Sequence, residues 1–169
     1  MAFEISDLKV GSGRLGLGPL PGADGDFAQD FARLTGWAPG LVISMTETEE
    51  MHRAGAAGLG AALAGAGIDW VHLPIRDFGA PDAGTGARWP EISPRVHALL
   101  DRGGRGLVHC RGGCGRSGMI VLRLMVERGE DPEAALARLR AVRPCAVETD
   151  AQRNWAISHR SGARGDSTG

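Results

Sequence analysis

Cys110 and Arg116 stand six positions apart, with Gly112, Gly113 and Gly115 between them and Ser117-Gly118 directly after. A cysteine is a useful nucleophile only as thiolate, so a free thiol pKa of about 8.5 must fall for it to act at neutral pH. Inward N–H groups from a glycine loop, the positive end of a following helix and a guanidinium all favour the anion. The same groups hold a phosphoryl dianion, and an arginine fork meets two of its oxygens as a lysine does not. The chemistry indicated is phosphoryl transfer, with the equatorial oxygens resting on these donors while sulfur attacks in line. Cys110 is the candidate nucleophile and Arg116 the clamp, and Arg111, Gly112, Gly113, Cys114 and Gly115 offer backbone N–H groups. Ser117 can hydrogen-bond the sulfur and ease its departure, or serve as a plain helix cap. The leaving oxygen needs a proton from a neighbouring loop, for which Asp77 and Asp82 are the candidates. Either one also suits an ordinary turn.

The elements around the loop must aim these groups. Gly106-Leu107-Val108 reads as a buried strand leading in, and Met119 to Val126, apolar except for Arg123, as a buried helix leading out. Upstream, residues 3–9 and 13–18 read as a hairpin, 25–35 as a helix capped by Asp24 and closed at Gly36, and 41–44 as a strand. A helical turn follows at 46–52, a helix at 58–65, a strand at 70–74, a loop at 76–87 and a helix at 89–102. Beyond the central helix (117–128), Asp131-Pro132-Glu133 opens another that ends at Arg143-Pro144, and a last one covers 150–160. Trp89 either borders the site or packs. Strands at 41, 70 and 105 alternating with helices predict a single α/β domain over 1–161. Its sheet is mainly parallel and flanked by helices, with a tail at 162–169. The loops carrying Asp77 and Cys110 then lie at the same sheet end.

A length of 169 residues suits one core, and a net charge of −1 gives no sign of a nucleic-acid or membrane-surface partner. No run spans a bilayer, and no signal peptide is expected at the start. Three cysteines, two of them in one loop, argue against a disulfide framework and for a reducing cytoplasm. A reversible Cys110–Cys114 bond is one use for the second thiol, and simple space-filling is the other.

From His109 to Gly118 the chain resembles the signature of the cysteine-dependent protein phosphatases: His-Cys, five residues, Arg, Ser or Thr, Gly. It is most similar to the dual-specificity branch, in particular the cyclin-dependent kinase inhibitor 3-like phosphatases. Leu73-Pro74-Ile75-Arg76-Asp77 before the signature and Arg143-Pro144, Glu148-Thr149 and Gln152 after it extend the likeness. The resemblance implies hydrolysis of phosphotyrosine, and in a shallow pocket phosphoserine or phosphothreonine, through a phosphocysteine and without metal or other cofactor. It favours Asp77 as the acid, lets His109 organise the loop or merely sit in the core, and lets Gln152 orient the hydrolytic water or ride a solvated helix face. The expected partner is a phosphoprotein or another phosphomonoester; nothing signals an oligomer. Rhodanese-like sulfur transfer and a phospho-binding or redox-sensing module without turnover are the alternatives.

Overall fold

The computed structural model describes residues 3–162. Five strands, β1 (Ser6–Val10), β2 (Gly13–Gly18), β3 (Leu41–Ser44), β4 (Asp69–His72) and β5 (Arg105–His109), form one sheet in the order β1-β2-β5-β3-β4. Only the β1–β2 hairpin is antiparallel. Alternation along β3 and β5 sorts side chains to opposite faces. Val42 and Leu107 join one buried cluster, and Ile43 and Val108 join the other. Helices α1 (Phe27–Trp37), α2 (Thr48–Arg53) and α3 (Leu59–Gly65) cover the first face. Helices α4 (Ala83–Asp101), α5 (Gly115–Glu127), α6 (Pro132–Val142) and α7 (Asp150–Gly162) cover the second. The α/β class, the single mainly parallel sheet and the flanking helices agree with the sequence.

Several boundaries differ. β1 begins at Ser6, three residues later than expected. The first helix is capped by Asp26, whose side chain accepts from Gln29 N, and runs through Gly36 to a left-handed Ala38. α4 starts six residues early, because Asp82 takes the N–H of Thr85 and caps it; the last five residues of the expected loop are therefore helix. Gly162 closes α7, and the remainder of the expected tail lies outside the described residues.

α5 is the packed axis of the second face, buried along its length except at Arg123 and its C-terminal end. There Glu127 gathers Trp89 Nε1, Ser93 Oγ, His97 Nε2 and Arg123 Nε. Trp89 is thus a core residue, buried and edge-on to Trp155, and does not border the site. Burial alone would raise the Glu127 carboxyl, but these donors outweigh it and hold the pKa at about 2. A carboxyl lowered by folding stabilises above its unfolded value of about 4.5 and loses that contribution as pH falls toward the folded value. Glu127→Gln is therefore expected to cost about 2–3 kcal/mol at pH 7 and progressively less below pH ~4. Urea titrations at the two pH values check this; a pH-independent difference would contradict it.

Candidate active site

β5 lies between β2 and β3, and His109 pairs in register with Gly18 on one side and Ser44 on the other. The chain leaves this central strand directly into the glycine loop and turns at once into α5. The carbonyls of the loop are held from outside. Leu20 N donates to Arg111 O, while Arg143 donates from its outer nitrogen to Gly112 O (2.9 Å) and from Nε to Gly113 O (3.1 Å). Gly118 N donates to Cys114 O at 2.8 Å. With the carbonyls turned out, the N–H groups of Arg111, Gly112, Gly113, Cys114 and Arg116 are left without a protein acceptor among the described residues. Gly113 is left-handed (φ 73°), and a Cβ there would lie 2.4 Å from the backbone of Gly18, so only glycine fits. Gly115 departs from the expected cradle: its N–H already donates to Glu148 Oε1 at 2.7 Å.

The Cys110 side chain is 3% exposed, and Ser117 Oγ donates to its Sγ at 3.1 Å. Ser117 is thus aimed at the sulfur. His109 is buried behind the loop. Its Nδ1 lies 3.2 Å from Cys110 O, and its Nε2 meets Ser44 Oγ, which also accepts from Trp70 Nε1. This pattern places the proton on Nδ1, and burial lowers the imidazole pKa to about 4. His109 is neutral and bonded through both ring nitrogens, neither of which is turned to the sulfur.

Arg116 is 1% exposed and is met by a carboxylate from α2. Glu50 accepts from both outer guanidinium nitrogens, at 2.7 and 2.8 Å, and Ile75 O accepts at 3.0 Å. Burial works against both charges. The pairing outweighs it, holding Arg116 above and Glu50 below their ordinary values. The Nε of Arg116 is buried with no acceptor among the described residues. The fork is fixed on its outer side and keeps a free donor.

Asp77 Oδ1 lies 3.3 Å from Arg116, on a half-exposed side chain lining the pocket above Cys110. Asp82 lines no part of that pocket; it accepts the N–H of Thr85 as the cap of α4, and that bond holds its carboxyl below the usual value. Gln152 is fully buried. Its Oε1 accepts from the N–H groups of Glu148 and Thr149, and its Nε2 donates to Gly79 O. It fastens the loop that carries Asp77 to the segment before α7 and lies on no solvated face. The pocket encloses about 380 Å³, walled by Asp77, Phe78, Arg111 and Glu148.

Cys114 is bonded to Cys145, across 31 positions of sequence. This corrects two expectations: the thiols are not all unpaired, and the partner of Cys114 is not Cys110, which is free. The β5–α5 loop is thereby stapled to the segment after α6. A loop of that length removes about 3–4 kcal/mol of chain entropy from the denatured state in the entropic account. No group of three or more His, Cys, Asp or Glu among the described residues is disposed to hold a metal. No helix there is long and apolar enough to cross a membrane.

Of the groups not anticipated, Glu50 and Cys145 carry no local signal that names their partners. Arg143 and Glu148 lay within the residues that carried the resemblance, without a role.

The sequence profile described as polymorphic toxin system, DSP-PTPase phosphatase matches residues 20–130. Cyclin-dependent kinase inhibitor 3 of Rattus norvegicus is 36% identical over 92 residues, covering 53% of this chain and 42% of that protein. The Mus musculus protein is 37% identical over 91 residues, with the same coverage of 53% and 42%. The chain thus spans less than half the length of these curated relatives. Among solved structures, kinase associated phosphatase, with its catalytic site cysteine substituted by serine, superposes with a TM-score of 0.83 at 25% identity over 98% of each chain. Tk-PTP in its active form gives 0.64 at 26% identity, over 92% of this chain and 97% of that one.

Proposed function

Since the chain belongs to the DSP-PTPase phosphatase family, we propose that it is a cysteine-dependent protein phosphatase working through a phosphocysteine. The observation that carries this is the ring of unpaired N–H groups and the orphaned, buried Nε of Arg116 around the Cys110 sulfur. A phosphoryl group seated there has its charge met by fixed donors, which need no reorganisation as the transition state forms. The Cys110 sulfur attacks phosphorus in line, and Asp77 protonates the leaving oxygen. Water then displaces the sulfur, with the Ser117 hydroxyl stabilising the departing thiolate. Gln152, with its amide committed to backbone groups, acts by positioning the acid loop; the water-orienting role is not assigned to it. Asp82 supports the acid loop only as the cap of α4.

Phe78 supports an aryl ester as the leading substrate, phosphotyrosine before phosphoserine or phosphothreonine. Phe78 is 58% exposed at the pocket wall, on a backbone held left-handed (φ 62°). Phe78 N donates to Asp77 Oδ1 and Thr149 Oγ1 donates to Phe78 O, so the loop offers the ring in a set place. A ring there stacks on a phenyl ester more favourably than on an alkyl one. A phosphoprotein is the proposed partner; the Cys114–Cys145 bond removes the cysteine argument for a reducing cytoplasm. Sulfur transfer and binding without turnover are not favoured, because neither requires an acid beside the arginine.

The test is turnover of p-nitrophenyl phosphate with acid-quenched trapping of labelled phosphoenzyme, in the wild type and in Asp77→Asn. The variant is expected to lose about 10²–10³ of kcat and the basic limb of the pH profile. A basic limb that survives in Asp77→Asn and vanishes in Asp82→Asn would transfer the role of acid, and failure to trap any phosphoenzyme would count against the covalent route.

A further inference from the structure

Beside the pocket over Cys110 runs a second groove of about 570 Å³, which shares Ala23, Asp77 and Arg111 with it. Its cations are Arg53 of α2, Arg76 at the start of the acid loop and Arg111 of the phosphate loop. All three are exposed. Neither Arg76 nor Arg111 has a side-chain hydrogen bond or a close ion pair among the described residues, although the charge of Arg111 reaches Glu50, and Arg53 has only a 3.7 Å contact with Glu49. The carboxylates in the same groove are largely spoken for. Glu50 is clamped on Arg116 and takes the N–H of Glu47, and Asp77 leans on Arg116. Arg116 offsets only one of these two charges, so Glu47 and one further carboxylate oppose three guanidinium groups.

Two arginines without a bonded partner and a third only loosely paired, all lining one groove, match planar anions, which each fork can grip through two oxygens. We propose that this groove is a second anion subsite, which takes a carboxylate or a further phosphoryl group borne by a residue flanking the scissile phosphoester in a peptide. The proposal rests on the phosphatase reading, since the shared wall requires the first phosphoryl group to sit over Cys110. It makes the enzyme selective for acidic or multiply phosphorylated segments, through residues outside the catalytic loop.

The test compares kcat/KM on phosphotyrosine peptides flanked by alanine, by glutamate and aspartate, by a second phosphoresidue, and by lysine. Wild type, Arg53→Ala, Arg76→Ala and the double variant are measured at low and high salt, with p-nitrophenyl phosphate as the reference. The wild type is expected to favour the better of the two anionic series over alanine by about tenfold, fading with salt. That series identifies whether carboxylate or phosphoryl is the natural group. In the double variant the preference should fall to within about twofold while turnover of p-nitrophenyl phosphate holds. Equal rates on anionic and alanine peptides, or a preference that survives the double variant, would overturn the subsite. Faster hydrolysis of soluble inositol polyphosphates or of phosphoinositide vesicles than of every peptide would overturn the peptide assignment. If no phosphomonoester at all is turned over, the phosphatase reading fails separately. The groove is then decided by calorimetric binding of the same peptides to Cys110→Ser with and without Arg53→Ala and Arg76→Ala; unchanged affinity would refute it.

Discussion

Cys110→Ser is expected to lose at least about 10⁴-fold of kcat toward p-nitrophenyl phosphate while binding inorganic phosphate as well as the wild type does. The exchange is nearly isosteric and leaves the N–H groups and Arg116 in place, so the cradle persists. What disappears is the sulfur nucleophile, and nothing nearby can activate the hydroxyl that replaces it. A serine needs an adjacent base. The nearest imidazole, His109, has one nitrogen on Cys110 O and the other on Ser44 Oγ, and it faces the sheet. Ser117 Oγ, 3.1 Å from the sulfur, is itself a hydroxyl donor. Steady-state kinetics alongside phosphate calorimetry and thermal melting separate this from misfolding. Retained turnover in a folded serine variant would end the phosphocysteine mechanism.

Glu50→Ala should produce the largest loss that combines stability with activity. Arg116 is 1% exposed and Glu50 has 13% of its side chain exposed, so the alanine variant strands a buried guanidinium. Removing one partner of such a pair costs about 3–5 kcal/mol. Asp77 at 3.3 Å and Ile75 O at 3.0 Å remain, which favours the lower end of that range. For a domain of this size, about 3 kcal/mol lowers Tm by roughly 6–12 °C. The fork also loses the two bonds that aim its free Nε, and kcat/KM should fall by about 10²–10³. Glu50→Gln keeps the shape with half the pairing and should lie between. In the wild type the Glu50 contribution is present above the ordinary carboxylate range and declines on acidification, because Arg116 holds the folded carboxyl below it. An unchanged Tm and unchanged turnover in Glu50→Ala would refute the pairing.

These two residues mark where local sequence ceases to be informative. Cys110, Arg116 and Ser117 lie within eight positions, and a strand and a helix of ordinary apolar pattern bracket them. Short-range geometry therefore brings them together, and reading the stretch sufficed. The same holds for the central strands β3 and β5, whose continuous apolar runs admit only a doubly covered sheet. Asp82 shows the limit even of local reading, since an aspartate after proline suits a cap or an acid equally well. Only the tertiary structure shows that it caps α4 at Ala83.

By itself, then, the sequence determined the α/β class, the mainly parallel sheet and the cysteine–arginine loop at its C-terminal end, because each rests on neighbours in the chain. The tertiary structure alone decided the rest. It brought Glu50 onto Arg116 across 66 positions, set Cys145 against Cys114 in place of Cys110, turned Glu148 onto Gly115, and folded Gln152 away into backbone bonds. An acid, a thiol or an amide can take many partners. Which one it takes depends on the packing of α2 against the sheet and of the α6–α7 segment against α5, and no spacing along the chain encodes that packing.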